Sequence, residues 1–310
     1  MKWLLLFISI LLSFEATSQD TTIIIDNKKM VLPEVIVRNN FDYKKLLKQI
    51  KEDSTFYKAF RNLRILNYTS FNDIKMLDKE GKTKASLFSK TQQLRSNGCR
   101  TMKVLQEQTQ GDFYTNDHDY NYFTGKLYAS LFFTTGKVCG ETNIVGNTQI
   151  STAGKSGIDK HKEQLKMLFF NPGKKISGIP FIGGDKLDLY DERAHKLYDY
   201  RLELQEYHGI QCYMFSITPK DDLGPKADDI VVDGMTTWFD AKNLEVLGRN
   251  YALSYKAGVY DFDVSMEVEM THYKEMLVPK VLRYKGNWDI IFKKRERGVF
   301  TATLFDFNKE

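Results

Sequence analysis

Residues 260–270, YDFDVSMEVEM, alternate without a slip. Tyr260, Phe262, Val264, Met266, Val268 and Met270 fall on one side, and Asp261, Asp263, Ser265, Glu267 and Glu269 on the other. Successive side chains of a β-strand point to opposite faces, so the stretch predicts one long strand, apolar on one side and acidic on the other. At about 3.3 Å per residue it spans roughly 35 Å, longer than a common strand. Such a strand needs a sheet around it and a cover over its apolar side.

Its sequence neighbours supply the sheet. Residues 197–220, LYDYRLELQEYHGIQCYMFSITPK, set Tyr198, Tyr200, Leu202 and Leu204 on one face, turn at His208-Gly209, and return with Tyr213, Phe215 and Ile217. Residues 229–255 hold two strands about Asp240-Ala241-Lys242-Asn243, which is type I turn chemistry. LVPKVLRYKGNWDIIF (277–292) and GVFTATLFDF (298–307) complete the run. Every link is short, so these strands are expected to be antiparallel neighbours in a meander. Residues 65–94 read as two more strands joined at Lys79-Glu80-Gly81-Lys82. The basic run 293–297, KKRER, is expected to pair across strands with Asp261, Asp263, Glu267 and Glu269.

Helical spacing appears at 41–64 (Leu46, Leu47, Ile50, then Phe56, Phe60, Leu63, with Asp53-Ser54-Thr55 capping between two helices), at 121–133 and at 158–170. Between about 100 and 195 the pattern is irregular and rich in glycine, and it reads as an insertion into the sheet. Residues 19–40 read as a short extended pair, TIIID and PEVIV, around a polar turn. The fold class is therefore α+β, mainly antiparallel β, with one large sheet and packed helices. The domain division is 1–18, 19–40, and a single domain at 41–310 carrying the insertion.

The N-terminus, MKWLLLFISILLSFEATSQ, has a charged start, an apolar run and a small-x-small end at Ala16-Thr17-Ser18. The run is shorter than the roughly 20 residues of a spanning helix, so a signal peptide cleaved after Ser18 is expected, with an uncleaved anchor as the alternative. No cysteine lies near the cut to carry a lipid anchor. An exported protein, soluble in the periplasm or associated with the outer membrane, follows. The chain has 310 residues and a net charge of +5, with basic residues scattered among acidic ones. A nucleic-acid partner would need them gathered in a stripe, so none is expected.

The order YDYRLELQEYHGIQCYMFSITPK, TTWFDAKNLEVLGRNYALSY, DFDVSMEVEM, LVPKVLRY resembles the LolA/LolB/RseB-like group of envelope proteins, and also the periplasmic portion of large Bacteroidota outer-membrane proteins. The likeness covers about 196–300. LPEVIV (32–37) is similar to an extended segment in TonB-dependent proteins of the same bacteria. The resemblance implies an incomplete barrel whose concave apolar face is closed by helices and holds acyl chains. On that reading Trp238, Tyr251, Tyr255, Phe262, Val264, Met266 and Met270 are the candidate ligand-binding residues. The competing reading is a filled core, since apolar faces usually pack. A partner in the outer membrane is the other binding role the resemblance allows.

The chain holds no G-x-S-x-G, H-E-x-x-H, Walker loop or C-x-x-C. The alternative to a binding protein is a metal-dependent hydrolase built on the insertion. Its best residues are Asp117, His118 and Asp119 in TNDHDYNY, and Asp185, Asp188, Asp191 and Glu192 in GGDKLDLYDE. Consecutive residues rarely aim at one point, the second cluster lacks EF-hand ligand order, and His161, His195, His208 and His272 are isolated. No catalytic residue, metal or cofactor is assigned. Of the three cysteines, Cys99 and Cys139 sit beside glycines in turn-like loops and are expected to form a disulfide, worth roughly 4 kcal/mol on the chain-entropy model. Cys212, in mid-strand, is expected to stay free; three unpaired thiols is the alternative.

Overall fold

The computed structural model describes residues 21–25, 28–32, 43–145, 167–176, 184–256, 260–290 and 294–309. The leader expected at 1–18, residues 33–37 of LPEVIV, His161, most of the helix expected at 158–170 and the glycine-rich loop 178–183 lie outside the described residues. Strands β1 (Thr21–Ile25) and β2 (Lys28–Leu32) form a small antiparallel ribbon. The partner of β1 is thus KKMVL rather than PEVIV.

The main sheet has two arms. One comprises β3 (Asn67–Leu77), β4 (Thr83–Ser96), β5 (Cys99–Gln110) and the two-residue β6 (Val138–Cys139). The other is the meander β7 (Tyr198–Tyr207), β8 (Ile210–Pro219), β9 (Val232–Asp240), β10 (Val246–Lys256), β11 (Tyr260–Tyr273), β12 (Met276–Ile290) and β13 (Glu296–Asn308). Pairing of β13 with β3 fuses them into one sheet of order β6-β5-β4-β3-β13-β12-β11-β10-β9-β8-β7. All neighbours are antiparallel, and β6 and β7 do not meet, so the barrel is left open. Strand β5 falls within the stretch that reads as an insertion. Its sequence CRTMKVLQEQTQ has no apolar alternation because both faces from Lys103 onward are exposed.

Register explains the two-faced pattern of 260–270. Across the sheet Tyr251 faces Met266, Met266 faces Tyr284, Tyr284 faces Phe300, Phe300 faces Ile74 and Ile74 faces Leu87. All are buried, one continuous apolar row over six strands. Each such side chain contributes roughly 1.5–3 kcal/mol of transfer free energy. One residue along, Asn250, Glu267, Arg283, Thr301 and Asp73 form the outward polar row. There Arg283 meets Glu269 at 2.6 Å and Glu267 at 3.8 Å. Arg283, rather than the 293–297 run, is therefore the partner of these two carboxylates among the described residues. Within that run Arg295 pairs with Asp289 at 2.8 Å, and Glu296 turns to a different task.

Helices α1 (Tyr43–Glu52), α2 (Thr55–Asn62) and α3 (Phe123–Phe132) cover the inner face, with residues 167–170. Leu46, Leu47 and Ile50 of α1 and Phe56, Ala59 and Phe60 of α2 recur at helical spacing and are buried. Asp53 Oδ1 accepts the Thr55 N–H at 2.8 Å from one residue before the N-cap, while Ser54 at the N-cap makes no side-chain capping bond. The first turn of α3 carries no acidic residue of its own; Glu296 of β13 accepts the N–H groups of Phe123 and Thr124 at 2.9 and 2.7 Å. A carboxylate there satisfies orphan donors and complements the helix dipole. Tyr128 and Phe132 then stack on Phe300, each at 4.9 Å.

Candidate functional site

The inner row is not equally bulky along the sheet. Where α2 and the end of α3 lie over β3, β4 and β13, the inward positions are Ser70, Asn72, Ser89, Thr91, Gln93 and Ala302, all buried. Small and polar side chains hold the helices off the sheet and leave a cavity of about 290 Å³. Tyr57, Phe60, Phe132, Phe170 and Leu304 form its apolar wall and Ser70, Asn72 and Gln93 its floor, and more of the surface facing the cavity is polar than apolar. Its volume is at the lower end of the roughly 300–1,000 Å³ of small-molecule sites.

The floor is a hydrogen-bonded network with one gap. Ser70 Oγ and Thr91 Oγ1 are 2.8 Å apart, and Asn72 Nδ2 donates to Thr91 Oγ1 at 3.2 Å and Ser89 Oγ at 3.3 Å. Asn72 Oδ1, in a side chain 1% exposed, has no partner among the described residues. Gln93 Nε2 donates to the carbonyls of Leu63 and Leu66 at 2.7 and 2.8 Å, fixing the chain where α2 runs into β3. Burial pushes the Tyr68 phenol up to about 12.

One end of the cavity is charged. Arg61, Arg64, Arg100 and Glu141 line it, and the side chains of Arg64, Arg100 and Glu141 keep 33%, 19% and 20% exposure, so this end reaches solvent. Glu141 takes the Nε of Arg100 on one oxygen and Arg64 Nη1 at 3.3 Å on the other. Burial alone raises the Glu141 carboxyl, but the Arg100 hydrogen bond and the charges of Arg100, Arg64 and Arg61 hold it below its ordinary value. Arg64 is pushed down, first by burial and then by Arg61. The segment bearing Glu141 is anchored by the Cys99–Cys139 disulfide and by Asn143, which donates to Asn62 Oδ1 at 2.8 Å. Cys212 is a free, buried thiol.

The seven residues expected to line a cavity lie elsewhere. Tyr251, Phe262, Val264 and Met266 are buried in the continuous core, and Tyr255 and Met270 pack against it. Tyr251 donates to the Phe169 carbonyl at 2.5 Å, which closes that part of the sheet. Trp238 is on the opposite face, stacked on Tyr207 at 4.7 Å, while Thr237 and Phe239 point inward. Adjacent aromatics in TTWFD must face opposite ways, and the sequence does not say which faces in. The lining that is found, Ser70, Asn72 and Gln93, carries a signal only once the sheet's inward parity is known.

The acidic clusters serve local structure. Thr115 N and Asp119 O close a turn at 2.8 Å in which His118 has φ 61°, and Asp119 pairs with Lys126 at 2.9 Å. Asp185 pairs with Lys175 at 2.5 Å, and Asp188 and Asp191 accept the N–H groups of Tyr190 and Ala194. Among the described residues no three His, Cys, Asp or Glu side chains converge on one point.

A second polar cluster lies between α1 and α2. Arg249 and Asp53, each 8% exposed, are 3.6 Å apart. Nearby Lys174 sits 4.8 Å over the Tyr190 ring and donates to the Lys51 carbonyl. Burial, then Arg249, lowers the Lys174 ammonium to about 8. The unfolded chain keeps that proton up to an ordinary lysine value near 10, so between pH 8 and 10 the unfolded state binds more protons and stability rises with pH. The rise from pH 8 to 9.5 is expected to be on the order of 1 kcal/mol, allowing for partial exposure. Urea denaturation of the parent and Lys174→Met should therefore diverge across this window, the parent gaining on the variant; parallel curves would contradict the assignment.

The site is thus a polar-floored cavity with a charged mouth, lying under the helices on the inner face of an open antiparallel sheet. The chain matches no family model and no curated protein. The crystal structures to which it is similar include three bacterial proteins. One is a Vibrio parahaemolyticus domain described as outer membrane lipoprotein-sorting, at 9% identity over 84% of this chain and 93% of that one, with a TM-score of 0.30. A DUF1329 family protein from Desulfovibrio piger shares 12% identity over 86% and 91%, TM-score 0.26. A LolA superfamily protein from Nitrosomonas europaea shares 9% over 83% and 92%, TM-score 0.24. The last carries the name of the group that residues 196–300 resemble. At these TM-scores the likeness carries no argument about activity, and the architecture stands on the sheet itself. Among the described residues no helix is long and apolar enough to cross a membrane.

Proposed function

We propose that this is an exported, non-enzymatic cell-envelope protein, residues 41–310 forming one domain that holds an amphiphilic, lipid-type ligand between the sheet and its helices. The observation that carries the reading is the cavity of about 290 Å³ over Ser70, Asn72, Gln93 and Ala302, with an apolar wall and an opening at one end. The leader-like residues 1–18 and the carrier resemblance of 196–300 support the location and ligand class. A cavity this small takes one chain rather than several.

Filling the cavity tests it. Ala302 lines the space from β13, so Ala302→Phe should enter it without displacing the core. Displacement of a fluorescent acyl probe from the lipid-stripped protein should weaken by about tenfold or more, with the thermal midpoint kept. Equal affinity in both proteins would place any apolar ligand elsewhere.

One observation favours the partner reading as well. Only Cys99 and Arg100 of β5 pair with β6, and among the described residues Thr101–Gln110 has no strand on its far side. Val104 and Leu105 there are 58% and 50% exposed, an edge open to strand addition by an outer-membrane protein.

A further inference from the structure

We infer that the ligand of this cavity carries an anionic head, a carboxylate or a phosphate, bound by Arg64 and Arg100 in the position that Glu141 occupies in the free protein. The inference rests on the cavity-binding reading above and adds the chemistry of the head group. Three guanidinium groups and one carboxylate line the charged end, so 3 − 1 leaves two positive charges unmatched among its lining residues. Among the described residues Arg61 makes only carbonyl contacts there, to Thr142 at 2.9 Å and Ile144 at 3.2 Å, and its buried Nε has no partner among them.

Like charges crowded at a partly buried site are unfavourable unless an anion joins them. Glu141 is a stand-in for that anion. Its two oxygens bridge Arg100 and Arg64 as a head-group carboxylate would, and a guanidinium fork suits carboxylate and phosphate oxygens alike. The backbone bearing Glu141 is held at Cys139 and at Asn143, so a ligand head would take its place by rotation of the Glu141 side chain while the mouth stays assembled. Beyond the arginines the wall turns apolar at Phe132, Phe170 and Leu304, the order of polarity in a single-chain amphiphile. Asn72 Oδ1 lies in the floor as a buried acceptor awaiting a donor, which a hydroxyl or amide N–H in the body of the ligand would supply.

The test is calorimetric titration of the lipid-stripped full chain at pH 7.5 with decanoate, decyl phosphate, decanol and inorganic phosphate. Both decyl anions should bind at least roughly tenfold tighter than decanol, since charge-assisted hydrogen bonds are lost with the alcohol. The anion-to-alcohol ratio should rise in Glu141→Gln, which removes the internal competitor, and fall in Arg64→Met. A preference for decyl phosphate points to a phospholipid-type head and a preference for decanoate to a fatty acid; either supports the inference. Equal binding of decanol overturns it while leaving the cavity reading intact. Inorganic phosphate binding as tightly as decyl phosphate overturns it too, in favour of a free anion site. If no decyl compound binds, both readings fall.

Discussion

Val264→Asp is expected to leave little folded protein. Val264 is 2% exposed, faces Leu253 on β10 and Gly286 on β12, and sits between Phe262 and Met266 in the inner row. A carboxylate at that position is desolvated without a counter-ion, a cost of roughly 4 kcal/mol or more against a total stability of about 5–15 kcal/mol. Ser265→Asp is the control. One residue along, it faces outward opposite Lys285, and should change stability by no more than about 0.5 kcal/mol. Chemical denaturation of the two variants separates the faces; a Val264→Asp protein as stable as Ser265→Asp would reverse them.

Arg249→Met is the second large effect. The Arg249 guanidinium lies 4.3 Å over the Phe56 ring, donates from Nε to Thr237 Oγ1 at 2.8 Å, and faces the buried Asp53 carboxylate. A buried ion pair adds little net stability, because desolvation offsets attraction, but removing one member strands the other. The single variant should therefore lose about 3–5 kcal/mol. Arg249→Met with Asp53→Asn should recover much of it, since Asn keeps the acceptor for the Thr55 N–H. A double variant as unstable as the single would show that stacking on Phe56, not charge, is what Arg249 contributes.

Most of the sheet was legible because its strands bury one face only. The inward residues Phe262, Val264, Met266 and Val268 face Trp288, Gly286, Tyr284 and Leu282 of β12, and the outward Asp263, Ser265 and Glu267 face Asn287, Lys285 and Arg283, so period-two alternation survives in the sequence. Helices α1 and α2 were legible for the same reason at helical period, through Leu46, Leu47, Ile50, Phe56 and Phe60. Strand β5 was not, since an edge strand with both faces wet has no apolar row to impose alternation. The cavity was hidden by the opposite effect. In NYTSFNDIKML the inward residues Ser70 and Asn72 are polar and the outward Phe71 is 40% exposed, so local pattern inverts the true faces there. Parity returns further along the strand, where Ile74 and Met76 are buried and Ile74 faces Phe300 of β13, a contact between distant parts of the chain. The arginine cluster needs the same long-range view, because Arg64, Arg100 and Glu141 come from three separate segments.

The central claim is that the space over Ser70, Asn72 and Ala302 is a ligand site. Native mass spectrometry of the protein purified from its own envelope, followed by lipid extraction, tests it most directly. The account predicts one amphiphile per chain, lost when Ala302→Phe fills the space. A bare chain mass, or a stoichiometric metal with no lipid, would contradict it.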